Sequence, residues 1–126
     1  MKSLMTTIGI LTALITAIII SMLIMKSNVE YIEKEIGDIE KLAINSGAYS
    51  AGEYMQNIEE DVMDKLKICT LFIIHSDIDQ IITSYLRAKG NFLENNKSDA
   101  FVELEALKFL LDHAKGKDFP SASSVL

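Results

Sequence analysis

The most apolar part of the chain is residues 4–25, where no charged side chain interrupts the sequence between Lys2 and Lys26. Such a helix is about 33 Å long, enough to cross a hydrocarbon core of about 30 Å. A cleaved secretory signal has a shorter apolar region followed by an A-x-A-like site, which this segment lacks. A chain this short could hardly cover an all-apolar core helix of that length. We therefore predict an uncleaved transmembrane signal-anchor over residues 1–26.

Beyond this segment, apolar residues recur at alternating spacings of three and four, and glutamates and lysines fill the positions between them. This juxtamembrane seam consists of Val29, Ile32, Ile36, Ile39 and Ala43. The spacing is that of one face of a helix, although the repeat is too short to establish a coiled coil. No helix breaker separates it from the apolar segment. We therefore predict one continuous helix from about residue 4 to residue 44, ended by Asn45-Ser46-Gly47.

Three further helices follow from the same periodicity and from capping signals. The second runs from about Tyr49 to Ile74, with the all-apolar residues 71–74 read as its buried end. Ser76 resembles an N-cap of the third helix, and Ser98 resembles an N-cap of the fourth. Gly116 is expected to end the fourth helix.

These elements predict an all-α fold in which a single N-terminal transmembrane helix continues into a small antiparallel helical bundle. The bundle domain is assigned to residues 27–126 because short connections join the predicted helices and no domain linker interrupts them. No alternation of strands and helices appears in the sequence.

The charge distribution narrows the range of functions. The formal net charge is −6, and every acidic residue lies after the apolar segment. This argues against nucleic-acid binding, which needs a basic footprint, and against a polybasic lipid-binding surface. The one cysteine, Cys69, cannot form a disulfide within the chain, and its apolar neighbours predict a buried small hydrophobic residue.

Small residues recur at every fourth position of the apolar segment. This small-residue ridge consists of Gly9, Ala13, Ala17 and Ser21. Such spacing allows two membrane helices to approach closely, which predicts a dimer or a docking face for another membrane protein. Alternatively, the pattern reflects only the general abundance of these residues in membrane helices.

Residues capable of chemistry are few. His75 and Asp79 lie four apart and Asp112 adjoins His113, but metal-binding bundles supply several inward Glu and Glu-x-x-His pairs, which are missing here. No nucleophile motif and no phosphate loop occurs in the sequence. We expect no metal, no cofactor and no catalytic residue.

The chain as a whole resembles an uncharacterised bacterial membrane family known as domain of unknown function 4363. The resemblance lies in the N-terminal anchor, residues 71–79 (LFIIHSDID), residues 107–113 (LKFLLDH) and the tail ending in Val125-Leu126. Asp77 stands where that family tends to have Glu, and Ser124 where it tends to have Asn, which puts a specific role for a tail amide in doubt. The resemblance implies a small single-pass membrane protein and supplies no activity.

From this resemblance follows the expectation that His75 and His113, on different helices, meet in the core. Together with Asp79 they would form a structural polar junction that sets the register of the helices. The sharper alternative is a pH-sensitive lock, because burial and nearby carboxylates shift the pKa of a histidine.

These observations favour a non-catalytic interaction or accessory subunit in the cytoplasmic membrane, with the C-terminal domain outside it. The expected partners are the lipid bilayer and a second membrane protein or copy, bound through the transmembrane and juxtamembrane helix. The alternative is a sensory or ligand-binding bundle that acts through a partner. An apolar cavity would favour that alternative, and a tightly packed core with an exposed apolar strip would favour the first.

Overall fold

The computed structural model describes residues 1–70 and 75–118, and at His75 and residues 115–118 it describes the backbone alone. The described chain forms four α-helices. They are α1 (Lys2–Ser46), α2 (Ala48–Cys69), α3 (His75–Leu93) and α4 (Lys97–Asp118). The predicted all-α class is confirmed, as is the single N-terminal helix that continues into an antiparallel bundle.

The first helix is a continuous rod of 45 residues. The part before Ser21 and the part after it have different surroundings. Residues 1–20 are exposed on every side. From Ser21 onward the other helices cover the apolar face of α1, and Met25 is the first residue on it that is fully buried. The boundary predicted between residues 26 and 27 therefore marks no break in the backbone, because one helix serves both parts.

Gly47 is the whole connection between α1 and α2. Its φ of 98° and ψ of 166° fall in a region that is open essentially to glycine alone. The predicted stop at Asn45-Ser46-Gly47 is confirmed. Because one residue turns the chain, α2 is forced to return along α1.

Asn95 turns the chain between α3 and α4. It has a φ of 61°, in the left-handed region that asparagine tolerates better than most residues. The Asn96 N–H donates to the Asn91 carbonyl at 2.8 Å, and the Asn95 N–H donates to the Phe92 carbonyl at 3.1 Å. This pair of bonds is the Schellman arrangement, which satisfies the last carbonyls of α3.

The helices form a ring in which each contacts the next and α4 also contacts α1. The pairs Glu35 with Tyr54 and Tyr31 with Lys65 show that α2 runs antiparallel to α1. The core is built from the inner face of every helix: Met25, Val29, Ile32, Ile36, Ile39, Ala43, Ala51, Met55, Val62, Leu66, Cys69, Ile78, Ile81, Tyr85, Ala88, Phe92, Ala100, Leu104, Leu107, Leu111 and Ala114.

Three of the predicted helix boundaries need correction. Ser76, the predicted cap of the third helix, lies inside α3, which already includes His75. The fourth helix begins at Lys97, one residue before the predicted cap Ser98, and Asn96 supplies the carbonyl that accepts the Ala100 N–H. Gly116 does not end that helix, which continues to Asp118 because a glycine can remain helical where no left-handed turn is required. The predicted buried helix end at residues 71–74 lies outside the described residues.

Candidate functional site

The exposed part of α1 is the most distinctive surface of the molecule. Among the described residues, α1 is the one helix with the length and hydropathy to cross a membrane, with a mean hydropathy of 2.7 over its most apolar window. Thr12 donates its hydroxyl to the Ile8 carbonyl and Thr16 donates to the Thr12 carbonyl, each at 2.8 Å. Since these donors are satisfied within the helix, both threonines are compatible with an apolar medium.

The small-residue ridge is uncovered along most of its length. Gly9, Ala13 and Ala17 are exposed, and Ser21 is half-buried where the bundle begins. A methyl group added at Gly9 would meet nothing within 4 Å. The ridge is therefore a shallow, open strip on the apolar helix, and nothing in the described chain occupies it.

The juxtamembrane seam has the opposite environment. All five of its residues, from Val29 to Ala43, are buried in the core of their own bundle. The predicted helical periodicity is correct, but the expectation that this seam serves association with a partner needs correction. The α2 and α4 helices already cover it, so its apolar surface is not available to another chain.

A polar layer joins α1, α2 and α3 beside the core. Tyr54 donates its hydroxyl to the Glu35 carboxylate, and this hydrogen bond, together with burial, raises the pKa of Tyr54 to about 12. The buried Tyr85 donates to the Met55 carbonyl at 2.6 Å, which satisfies its hydroxyl within the core. Burial, followed by the nearby Glu59 carboxylate, raises the pKa of Tyr85. These contacts hold the phenols in their neutral form.

Two lysines connect helices that are distant in sequence. Lys89 of α3 pairs with Glu59 of α2, and Lys108 of α4 pairs with Glu40 of α1. Lys108 also lies 3.1 Å from Glu105 of its own helix. The hydrogen bond to Glu40 is the main cause that raises the pKa of Lys108, against the opposing effect of burial. These pairs favour the observed order of helices around the ring, although partly exposed ion pairs stabilise a fold only weakly.

The core position predicted for His113 needs correction. His113 and Asp79 both lie on the solvent-facing surface, and the side chain of His75 lies outside the described residues. The His113 ring stacks on Phe109 with ring centroids 6.3 Å apart. The prediction that His113 meets a second histidine in the core is therefore wrong. The α4 face that points inward is filled by Leu107, Leu111 and Ala114, which turns His113 outward.

Cys69 is fully buried at the end of α2, as predicted. Burial raises the pKa of its thiol to about 11, which disfavours the reactive thiolate. Within residues 1–70 and 76–114, no three side chains of His, Cys, Asp or Glu converge as metal ligands would.

An apolar strip on the outside of α4 escaped the sequence reasoning. Val102 is 66% exposed and Phe109 is 70% exposed, although both are large and apolar. They lie seven residues apart and hence on the same face, opposite the buried stripe. The seven-residue spacing could have predicted this strip. It was missed because apolar residues also fill the core side of α4, so the helix shows no single apolar face.

Two surface depressions among the described residues are bordered mainly by residues with polar side chains. A groove of about 410 Å³ between α3 and α4 is bordered by Asp79, Gln80, Thr83, Ser84, Arg87 and Leu110. A smaller one of about 200 Å³ is bordered by Glu33, Lys108 and Asp112. Neither is the apolar, enclosed site that small ligands prefer.

Comparison with known proteins identifies the family. No curated protein and no solved structure shows significant similarity to this chain. The sequence profile of one family, described as a domain of unknown function (DUF4363), matches residues 19–121. The match begins near the end of the exposed apolar segment and takes in the whole bundle. The chain therefore belongs to the DUF4363 family.

Proposed function

We propose that this protein is a single-pass membrane protein whose bundle serves as a non-catalytic interaction or accessory subunit. The supporting observation is the exposed apolar half of α1, which continues without a break into the core of the bundle. In water, this apolar surface would be a large hydrophobic patch of the kind that marks a membrane or protein contact. In a bilayer, the same surface is compatible with its surroundings.

The continuity of α1 has a mechanical consequence. A membrane protein that packs against the small-residue ridge would fix the position of the transmembrane segment. That segment and the first helix of the bundle are parts of the same continuous helix, α1. The orientation of the bundle is then determined within the membrane. This rigid coupling supports an accessory subunit, because it would hold the bundle in a fixed orientation beside its partner.

The proposed location is the cytoplasmic membrane, with the bundle on its outer side. Acidic residues outnumber lysines in the helix after Lys26, so this stretch has little attraction to an anionic inner leaflet. Labelling of a cysteine placed at the exposed Tyr49 with an impermeant thiol reagent in intact cells tests the orientation. Labelling only after the cells are lysed would place the bundle inside instead.

The experiment that tests the function is cross-linking of the tagged full-length protein in native membranes, followed by identification of the trapped species. A second membrane protein in near-stoichiometric yield supports the accessory subunit. The variant Gly9→Leu with Ala13→Leu fills the ridge and should abolish that product. The matched control, Leu11→Phe with Ile18→Phe, adds bulk to the opposite face and should leave it intact. Equal cross-linking in both variants would exclude the ridge as the contact.

A further inference from the structure

One turn of α1, residues 23–25, is covered by the bundle on one side and exposed on the other. Met25 is only 2% exposed because the bundle covers it, whereas the neighbouring Leu23 is 61% exposed and Ile24 is 45% exposed. Ser21 and Met22, one turn earlier, are already half-buried. All of these residues belong to the charge-free segment that ends before Lys26. The bundle therefore begins beside the apolar segment and not beyond it.

The contacts between α1 and α2 show which part of the bundle reaches this height. Tyr54 pairs with Glu35, and Lys65 lies over the Tyr31 ring at 4.4 Å. The helices run antiparallel with equal rise, so the first pair places Met25 opposite residue 64 and the second places it just beyond Cys69. The mean of the two lies at the last turn of α2. Two side chains of that turn, Lys67 and Ile68, are exposed, Ile68 to 43%.

The fourth helix ends farther from the apolar segment. Lys108 pairs with Glu40, so the same register places Asp118 near residue 30 of α1. That level is about 7 Å beyond Met25 along the helix axis. Of the described helix ends, the end of α2 therefore lies closer than that of α4 to the exposed apolar segment.

The depth of this turn follows from the length of the span. Lys2 and Lys26 are separated by 24 helical steps, or about 36 Å, while the hydrocarbon core is about 30 Å thick. A helix centred in the bilayer thus has Lys26 only a few ångströms outside the hydrocarbon. The headgroup layer on each side is about 5 to 7 Å thick. Bundle atoms that cover Met25 must lie within that layer.

We propose that the last turn of α2, with Lys67 and Ile68, lies in the phospholipid headgroup layer, so that the bundle stands directly on the membrane. This inference rests on the proposed function, because it requires α1 to span the bilayer. The side chains suit the location. Ile68 can contact the upper acyl chains, and the ammonium groups of Lys67 and Lys26, the latter 4.0 Å from Glu30, can reach lipid phosphates.

The chain contains no tryptophan, so a single substitution introduces a unique fluorescent reporter. We would reconstitute full-length Ile68→Trp in phosphatidylcholine vesicles that carry a nitroxide quencher on the lipid headgroup. Strong quenching is expected. Lys67→Trp, on the same exposed turn, provides a second reporter should the first perturb packing. Tyr49→Trp is the matched control at the other end of α2, about 29 Å away along that helix, and should retain its emission.

A further variant separates failure of this inference from failure of the proposed function. Leu14→Trp lies in the middle of the exposed apolar segment and should be quenched by a nitroxide placed deep in the acyl chain. If Leu14→Trp is quenched but neither Ile68→Trp nor Lys67→Trp is quenched more than Tyr49→Trp, the bundle stands away from the membrane and the inference is wrong. If Leu14→Trp is not quenched either, the anchor itself is refuted, and this inference with it.

Discussion

The substitution Gly52→Ala gives the most quantitative test of how tightly the helices of the bundle pack. Gly52 lies in α2 against the end of α3, and a methyl group added there would sit 2.8 Å from the Leu93 Cγ and 2.9 Å from the Leu93 backbone nitrogen. The side chain of Leu93 could rotate away, but its backbone nitrogen can move only if the two helices separate. Gly52→Ala should therefore strain the α2–α3 contact.

The magnitude follows from two opposing terms. Replacing a helical glycine by alanine stabilises a helix by about 1 kcal/mol, mainly because the unfolded chain has less freedom to lose. Overpacking a well-filled core costs about 1 to 3 kcal/mol. Gly90 in α3 has nothing within 4 Å of the added methyl group, so Gly90→Ala should show only the gain in helix stability and no steric cost. The two variants should differ by the steric cost, about 1 to 3 kcal/mol, with Gly90→Ala the more stable.

The assay is thermal unfolding of the full-length protein in detergent micelles, followed by circular dichroism. For a domain of this size, 1 kcal/mol corresponds to a change in Tm of about 4 to 8 °C. Gly90→Ala should melt above the unsubstituted protein and Gly52→Ala well below Gly90→Ala. Gly37→Ala, at another open helical position, should behave like Gly90→Ala. Equal Tm values for Gly52→Ala and Gly90→Ala would refute the close approach of α2 and α3.

Four further predictions concern other parts of the bundle. Gly47→Ala should destabilise the protein by about 1 to 3 kcal/mol in the same melting assay, because its φ of 98° is strained for any side chain; an unchanged Tm would contradict this. Ile36→Ala should cost about 2 to 5 kcal/mol through a core cavity, while Val102→Ala on the exposed α4 strip should change stability by less than about 0.5 kcal/mol; similar losses would argue against the assigned core. Tyr54 has a pKa of about 12 in the folded chain against 10.0 ordinarily, so its contribution to stability is complete below pH 10 and is lost as the pH rises through 12. A pH titration of the unfolding free energy should show a smaller alkaline decline in Tyr54→Phe than in the unsubstituted protein. Cys69 should react with a thiol reagent at neutral pH only after denaturation, and rapid reaction of the folded protein would show that its burial is wrong.

The burial of the seam changes where a partner can bind. Residues 29–43 of α1 are required by the bundle itself, so a partner that displaced α2 or α4 would have to unfold the core. Among the described residues, the small-residue ridge of the exposed segment and the outer strip of α4 at Val102 and Phe109 remain open to a partner. The ridge is the better candidate for a membrane partner, because it lies on the segment that the proposed function places within the bilayer.

Local features of the fold were readable from the sequence. The charge-free run of residues 4–25 determined the long apolar helix, because length and hydropathy are properties of the segment alone. The three-and-four spacing from Val29 to Ala43 determined which face of that helix is buried. Gly47 determined the first corner, since its backbone conformation is open to glycine and closed to most other residues.

What covers each face was decided only by the tertiary structure. Periodicity shows that the seam is buried, yet the same pattern would suit a partner chain, and only the return of α2 and α4 along α1 assigns it to the bundle. His113 follows the core residue Leu111 by two positions, which puts it about 160° around the helix, so the helical spacing already placed it on the outer face that the structure shows. The close contact of Gly52 with Leu93 joins residues 41 positions apart, a separation at which sequence patterns carry no information about distance. Such long-range contacts depend on how whole helices pack, which is why the sequence alone predicted the helices and the structure was needed to assign their surfaces.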